Sequence, residues 1–238
     1  NSWFLVTLAG RRGLTFLERQ PEVDGEKLGV YGHSMGGKLT VMIAGADERV
    51  KAAVPSCGGI SDRYSDVQLH LSTVSDPPSL KRISCPTFFL SPANDFHGRI
   101  NDLETAVEEI QSKDWRVSCS PHHNHQDTPP YEVATQVWFD HHLKATFETP
   151  KTPQAKIILT QGMLPQFSIR PDQNRKVRSV EVYFTQQGIL QKPGAVKDDS
   201  RNTKHRFWKF IEPQKDPTSG VWLADLPIFS VERPVWAY

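Results

Sequence analysis

Read from its amino terminus, the chain changes hydrophobic period several times, and each change marks an element. Residues 2–20 (SWFLVTLAGRRGLTFLERQ) space apolar side chains as one face of a helix, which Pro21 and Asp24-Gly25 then end. Residues 27–32 (KLGVYG) are a short apolar run of β-formers, followed by Ser34-Met35-Gly36-Gly37 and a small-residue helical stretch at 38–46. Buried-strand runs recur at 50–57 (VKAAVPSC) and 85–92 (CPTFFLSP), joined by a polar, proline-containing connection at 61–82. An amphipathic helix is predicted over 99–113 and an alternating strand over 115–120 (WRVSCS). A further helix is predicted over 130–146, with Trp138, Phe139 and Leu143 on one face. Strands alternating with helices predict an α/β fold with a parallel sheet covered on both faces.

After Lys144 the pattern changes. Thr149-Pro150-Lys151-Thr152-Pro153 is linker-like, because proline stiffens the backbone and blocks helix continuation. The expected division is 1–147 and 148–238. Beyond it lie β-patterned segments at 155–160, 178–185, 205–211 and 219–224, separated by Gly, Pro, Asn and Asp clusters. They predict a small β-rich domain, a sandwich or part of one. No internal repeat or low-complexity tract is present.

Composition narrows the class. Across 238 residues, 37% hydrophobic content with six Trp and 12 Phe belongs to a folding chain, not a disordered one. Mean hydropathy is −0.48 and no run approaches the ~18 apolar residues of a membrane-spanning helix. The net charge of +1 hides an asymmetry: 14 basic against 19 acidic groups in 1–150, but 14 against 8 in 151–238. The two parts therefore suit different partners. Cys57, Cys85 and Cys119 are too few for a disulfide framework and lack metal-ligand spacing, so they are expected as buried thiols. The chain starts with Asn, without the order of a signal peptide, so the native start is expected to lie outside it.

The chemistry concentrates at Gly32-His33-Ser34-Met35-Gly36, a G-x-S-x-G pentapeptide with a strand before it and a helix after it. Such a turn strains the serine backbone, and glycines at 32 and 36 are expected to avoid Cβ collisions there. Ser34 is then presented at the carboxyl edge of the sheet. The Met35 N–H, at the helix start, is aimed to bind an oxyanion. The alternative is a tight turn that serves packing alone.

A serine hydroxyl needs a base, and the base needs a carboxylate to hold its tautomer. Asp95 follows the 85–92 strand and so sits at the same edge as Ser34; its alternative role is to cap the next turn. Asp102 and Asp127 do not directly follow a strand. The 115–120 strand leads into Pro121-His122-His123-Asn124-His125. His125 is preferred to His123 and His122 as the base, because its deeper position lets the loop turn back over Ser34. His33 is assigned to the oxyanion wall and, with His123, to substrate contact. His141 and His142 are expected on a solvated face or a helix end. The clustered histidines have no distant Cys or His partners at ligand spacing, so no metal is expected.

The order Ser34, Asp95, His125, each after a successive strand, resembles the α/β-hydrolase family over roughly residues 1–147. GHSMGGKLT, CPTFFLSPANDFHG, SPHHNHQ and the helix containing WFDHHL resemble its dienelactone hydrolase and acetyl xylan esterase-like branch. The segments VWLADLPI and VWAY are similar to the C-terminal extension of PhoPQ-activated pathogenicity-related proteins. The resemblance implies hydrolysis of a small ester or acylated polysaccharide through an acyl-enzyme, without metal or organic cofactor.

Members of that family build several strands ahead of the elbow strand, for which the preceding residues here have room only as a helix. With those strands would go the loop that supplies the second oxyanion N–H, at a cost of about 10²–10³ in rate. One sheet edge would also stand open, inviting self-association. Truncation at both ends is the expectation, with completion by another subunit as the alternative. Two other functions fit parts of the pattern: a peptidase of the prolyl-oligopeptidase type, and a non-catalytic hydrolase-like protein binding a glycan or envelope surface through its basic second part. In the latter, Trp208, Trp222 and Trp236 form either a sugar platform or plain core. No nucleic-acid recognition module is present. Free thiols suit a reducing compartment and the resemblance suits export, so the compartment stays open, with the balance toward secretion or the periplasm.

Overall fold

Four parallel strands form the centre of the amino-terminal part: β1 (Leu28–His33), β2 (Val50–Ser56), β3 (Thr87–Leu90) and β4 (Trp115–Ser118), side by side in chain order. The computed structural model describes residues 2–188 and 203–238. They divide into two units, Asn1–Thr149 and Pro150–Tyr238. No helix among the described residues is long and apolar enough to cross a membrane.

β2 explains why Ala52 to Pro55 read as an unbroken apolar run. Val50 and Ala53 enter one core cluster, with Val41, Phe89 and Leu103, while Ala52 and Val54 enter another, with Leu90, Tyr131 and Trp138. A strand buried on both faces has no polar positions to alternate with. Helix α1 (Ser2–Leu17) packs on α2 (Met35–Ala44) through Thr7 and Leu14, two turns apart on one face. Gly10 permits this approach, since a Cβ there would lie 2.3 Å from Ile43 Cδ1. On the opposite face of the sheet, α6 (Pro129–Phe139) buries Tyr131 and Trp138.

Three sequence expectations are corrected. The 61–82 connection contains two short helices, α3 (Gln68–Thr73) and α4 (Asp76–Leu80). Proline at the first turn of α4 starts a helix instead of excluding one. The helix expected over 99–113 is a 3₁₀ turn (Ile100–Asp102) running into the shorter α5 (Leu103–Glu109). The last helix of this unit does not continue to 146 but widens into a π turn, Asp140–Lys144, closed by Ala145 at φ 54°. Within that turn His142 takes the helix-end place and not the solvated one: its side chain is only 10% exposed, and burial pushes its imidazole down to about 4.

Asp47 ties α1 to the loop before β2. Its carboxylate takes both arms of Arg49 (2.7 and 2.8 Å) and Arg11 Nε at 3.0 Å, which hold it well below the usual carboxylate range. An unfolded Asp titrates near 3.8, so below that pH the unfolded chain binds more protons than the folded one and stability falls. Asp47→Asn is expected to remove about 1.5–3 kcal/mol at neutral pH and to flatten this acid limb, read from urea midpoints across the acid range.

Among the described residues of the second unit, every strand pair is antiparallel. β5 (Gln154–Ile158), β6 (Gln166–Arg170), β10 (Trp222–Asp225) and β9 (Gln214–Lys215) form one sheet in that order. β11 (Trp236–Ala237), β7 (Val182–Thr185) and β8 (Lys209–Ile211) form the other. Phe167 and Ile169 of β6, Ala224 of β10, and Val182 and Phe184 of β7 share one core, as two layers of a small sandwich do. Strand β6 escaped the sequence reading, and β7 and β8 are shorter than the β-patterned segments that contain them. Trp208 is fully buried and Trp222 packs on the shared core, so Trp208 offers no platform to a sugar.

Candidate functional site

Parallel pairing puts the carboxyl ends of all four strands at one edge. His33 lies beside Ser56, Ser56 beside Leu90, and Leu90 beside Ser118. Whatever follows each strand therefore gathers at that edge.

The first such residue is Ser34, with φ 59° and ψ −114°, a conformation that a residue with a side chain rarely adopts. Its own N–H donates to the Ser56 carbonyl at 2.9 Å, and α2 begins with the next residue. Gly32 is required here, since a Cβ would sit 2.5 Å from the Gly36 carbonyl oxygen. Gly36 is not: a Cβ on it meets nothing within 4 Å. The second steric constraint falls on Gly37, whose Cβ would lie 2.3 Å from the Ser56 oxygen. The expectation named the wrong member of the glycine pair because the collision is with β2, a partner distant in sequence.

Asp95, fully buried in the loop after β3, accepts the His97 N–H at 2.7 Å in a local turn. The same Oδ1 lies 3.0 Å from His125 Nδ1. His125 Nε2 in turn lies 2.6 Å from Ser34 Oγ. With Nδ1–H donating to Asp95, Nε2 carries the lone pair that accepts the hydrogen bond of the Ser34 hydroxyl. Residues 34, 95 and 125 thus form one hydrogen-bonded chain. Met35 stands first in α2, where backbone N–H groups have no intrahelical acceptor.

The other residues singled out from sequence are placed unequally. The His33 ring packs 5.1 Å from that of His125, and its Nδ1 lies 3.3 Å from Ser56 Oγ. Burial lowers its pKa. His123 is exposed, and what it gives this region is its carbonyl, which accepts the Asn94 N–H at 2.9 Å.

Sequence reasoning missed three contributors. Phe96 and His97 pack their rings 5.0 and 5.4 Å from His125, so three rings, with His33, confine the imidazole. His97 Nδ1 lies 2.9 Å from the Cys57 carbonyl, anchoring the Asp95 loop to the residue after β2. The Tyr31 hydroxyl donates to Asp127 and so fastens the His125 loop to β1. The signal for His97 was its place two residues after Asp95; nothing local marks Tyr31.

Cys57, at φ 55°, is buried beside Asp95, and its sulfur, an Asp95 oxygen and a His125 nitrogen lie within 4.8 Å of one another. Burial first, and the Asp95 charge second, push the thiol's pKa up. A protonated thiol and an imidazole already engaged on both nitrogens are poor metal ligands.

Residues 8–130 match the profile of the dienelactone hydrolase family. Among solved structures, the chain is similar to an acetyl xylan esterase from Paenibacillus sp. R4, at TM-score 0.52 and 21% identity over 58% of this chain and 52% of that one. It is also similar to acetyl xylan esterase 1 from Thermoanaerobacterium sp. JW/SL YS485, at TM-score 0.49 and 19% identity over 56% and 51%. The chain spans about half the length of these two proteins. A search of curated proteins gave no match. The family profile ends before the antiparallel unit begins.

Proposed function

For a chain that belongs to the dienelactone hydrolase family, we propose hydrolysis of carboxylic esters of small acyl groups through an acyl-enzyme, with Ser34 as nucleophile. The observation that carries this reading is the unbroken hydrogen-bond chain from Ser34 Oγ through His125 to Asp95. Its three members come from three separate loops at one sheet edge, and packing alone has no need of that order.

Ser34 Oγ attacks the ester carbonyl carbon while His125 Nε2 takes its proton. The resulting imidazolium is stabilised by Asp95, which also holds Nδ1 protonated throughout. The Met35 N–H donates to the oxyanion of the tetrahedral intermediate. Collapse of that intermediate breaks the bond to the leaving alcohol, which receives the proton from His125. Water then attacks the acyl-serine with His125 again as base, releasing the carboxylic acid and restoring Ser34. The rings of His33, Phe96 and His97 confine the imidazole beside Ser34.

An active-site phosphonate tests the assignment. The expected result is one covalent adduct, mapped by peptide mass to Ser34 and absent in His125→Ala. An unmodified Ser34 in protein that turns over p-nitrophenyl acetate overturns it. Faster cleavage of peptide anilides than of that ester would instead make the chain a peptidase.

A further inference from the structure

A second cluster of chemistry-bearing side chains lies at the other edge of the parallel sheet. Asp114 immediately precedes β4, whereas Ser34, Asp95 and His125 all follow their strands. Asp114, His141 and His142 each offer a ligand atom, and these atoms lie within 4.8 Å of one another. His142 is nine-tenths buried, with its ring 4.1 Å from that of Trp138. Its Nε2 has neither solvent contact nor a hydrogen-bond partner. A buried ring nitrogen left this way is uncommon and calls for an explanation.

Its nearest polar neighbour is Asp114 Oδ2 at 3.7 Å. That is too long for a hydrogen bond. It is close to the ~3.4 Å separating two ligand atoms that share a tetrahedral ion with bonds of about 2.0–2.2 Å. The other Asp114 oxygen faces Arg116 Nη1 at 3.5 Å, which leaves Oδ2 turned toward the histidines. His141 Nδ1 lies 2.9 Å from the Phe147 carbonyl and 3.4 Å from the Thr149 N–H; with the proton on Nδ1 for the shorter contact, the lone pair is on Nε2, the arrangement that orients metal-binding imidazoles. Consecutive helical residues do not ordinarily face one another. In the π turn the rings of His141 and His142 nonetheless stand 4.4 Å apart, edge to face.

We propose that Asp114, His141 and His142 bind one divalent cation of the zinc class, clamping the π turn that ends α6 onto the start of β4. Two imidazoles and one carboxylate suit Zn²⁺ and, as a spectroscopic substitute, Co²⁺. Water completes the tetrahedron. The site is structural: binding draws on the folded arrangement and so stabilises it.

The test is titration of the chelator-treated full chain with ZnCl₂ by calorimetry, and with CoCl₂ by visible absorption. One equivalent is expected to bind, with a rise in melting temperature. Affinity should fall at least about tenfold in both Asp114→Asn and His142→Ala, since even a hydrogen-bond partner of a ligand is worth about 10–100-fold. His125→Ala should bind as the parent does. Because His142 packs on Trp138, its variant risks misfolding; Asp114 is half-exposed, so Asp114→Asn carries the same test without that risk. The proposal fails if no saturable uptake occurs, if uptake survives Asp114→Asn unchanged, or if it disappears in His125→Ala, which would place the ion beside Cys57 and Asp95.

Discussion

Ser34→Ala is expected to lower kcat for p-nitrophenyl acetate by about 10⁶, with the fold intact by circular dichroism and KM little changed. The size follows from how the three side chains depend on one another. His125 Nε2 has the Ser34 hydroxyl as its donor at 2.6 Å, and Asp95 has His125 at 3.0 Å. Without Oγ there is no nucleophile for the imidazole to activate, and the orienting carboxylate has nothing left to serve. What remains is binding and oxyanion stabilisation at the start of α2, which on their own still give about 10³–10⁴ over water. Adding His125→Ala to Ser34→Ala should therefore cost little more, because members of such a unit are not additive. Activity within tenfold of the parent in either variant would remove Ser34 from the mechanism.

The second large effect is on stability and is independent of any catalytic reading. Lys38, on α2 four residues past Ser34, is 97% buried and sits 3.1 Å from Asp76, itself 99% buried. It also pairs with Asp62, whose N–H donates to Asp76 at 2.8 Å and whose carboxylate lies 2.9 Å from His70 Nε2. Lys38→Met leaves the Asp76 charge without its cation, and breaking a buried pair in this way costs about 3–5 kcal/mol. Against a total stability of about 5–15 kcal/mol, that loss is readily measured by urea unfolding. Burial raises the pKa of Asp76 and Lys38 opposes that rise, so removing Lys38 raises it further. The variant's fold then takes up a proton at higher pH than the parent's, and the deficit of Lys38→Met is expected to shrink as pH falls. Lys38→Met combined with Asp76→Asn should recover much of the loss at neutral pH. A single variant as stable as the parent would show that the pair contributes nothing.

Lys38 also illustrates which parts of the molecule could be read in advance. In sequence it is one charged residue in a small-residue helix, and nothing near it announces Asp62 or Asp76, 24 and 38 positions away. The same holds for Tyr31, whose partner Asp127 is 96 residues distant, and for His142, whose burial depends on a π turn that the hydrophobic spacing of 130–146 does not encode. By contrast, the bend at Ser34 was legible because its causes are adjacent residues: a β-forming run, a glycine and a helix-forming run in immediate succession. β2 was legible because burial on both faces leaves Ala52 to Pro55 without a polar position.

The amino-acid order alone determined the four strands of the parallel sheet, the bend that presents Ser34, and the strand-then-loop placement of Asp95 and His125. These follow from dihedral preferences and apolar period, which act over a few residues. The tertiary structure alone decided which side chains meet: that Gly37 and not Gly36 must lack a Cβ, that Phe96 and His97 wall in the imidazole, and that Lys38 is neutralised by two carboxylates. It also decided that Asp114 faces two histidines across the end of a helix. Those outcomes depend on the register of parallel strands and the close approach of helix to sheet, and both are set by the packing of segments far apart along the chain.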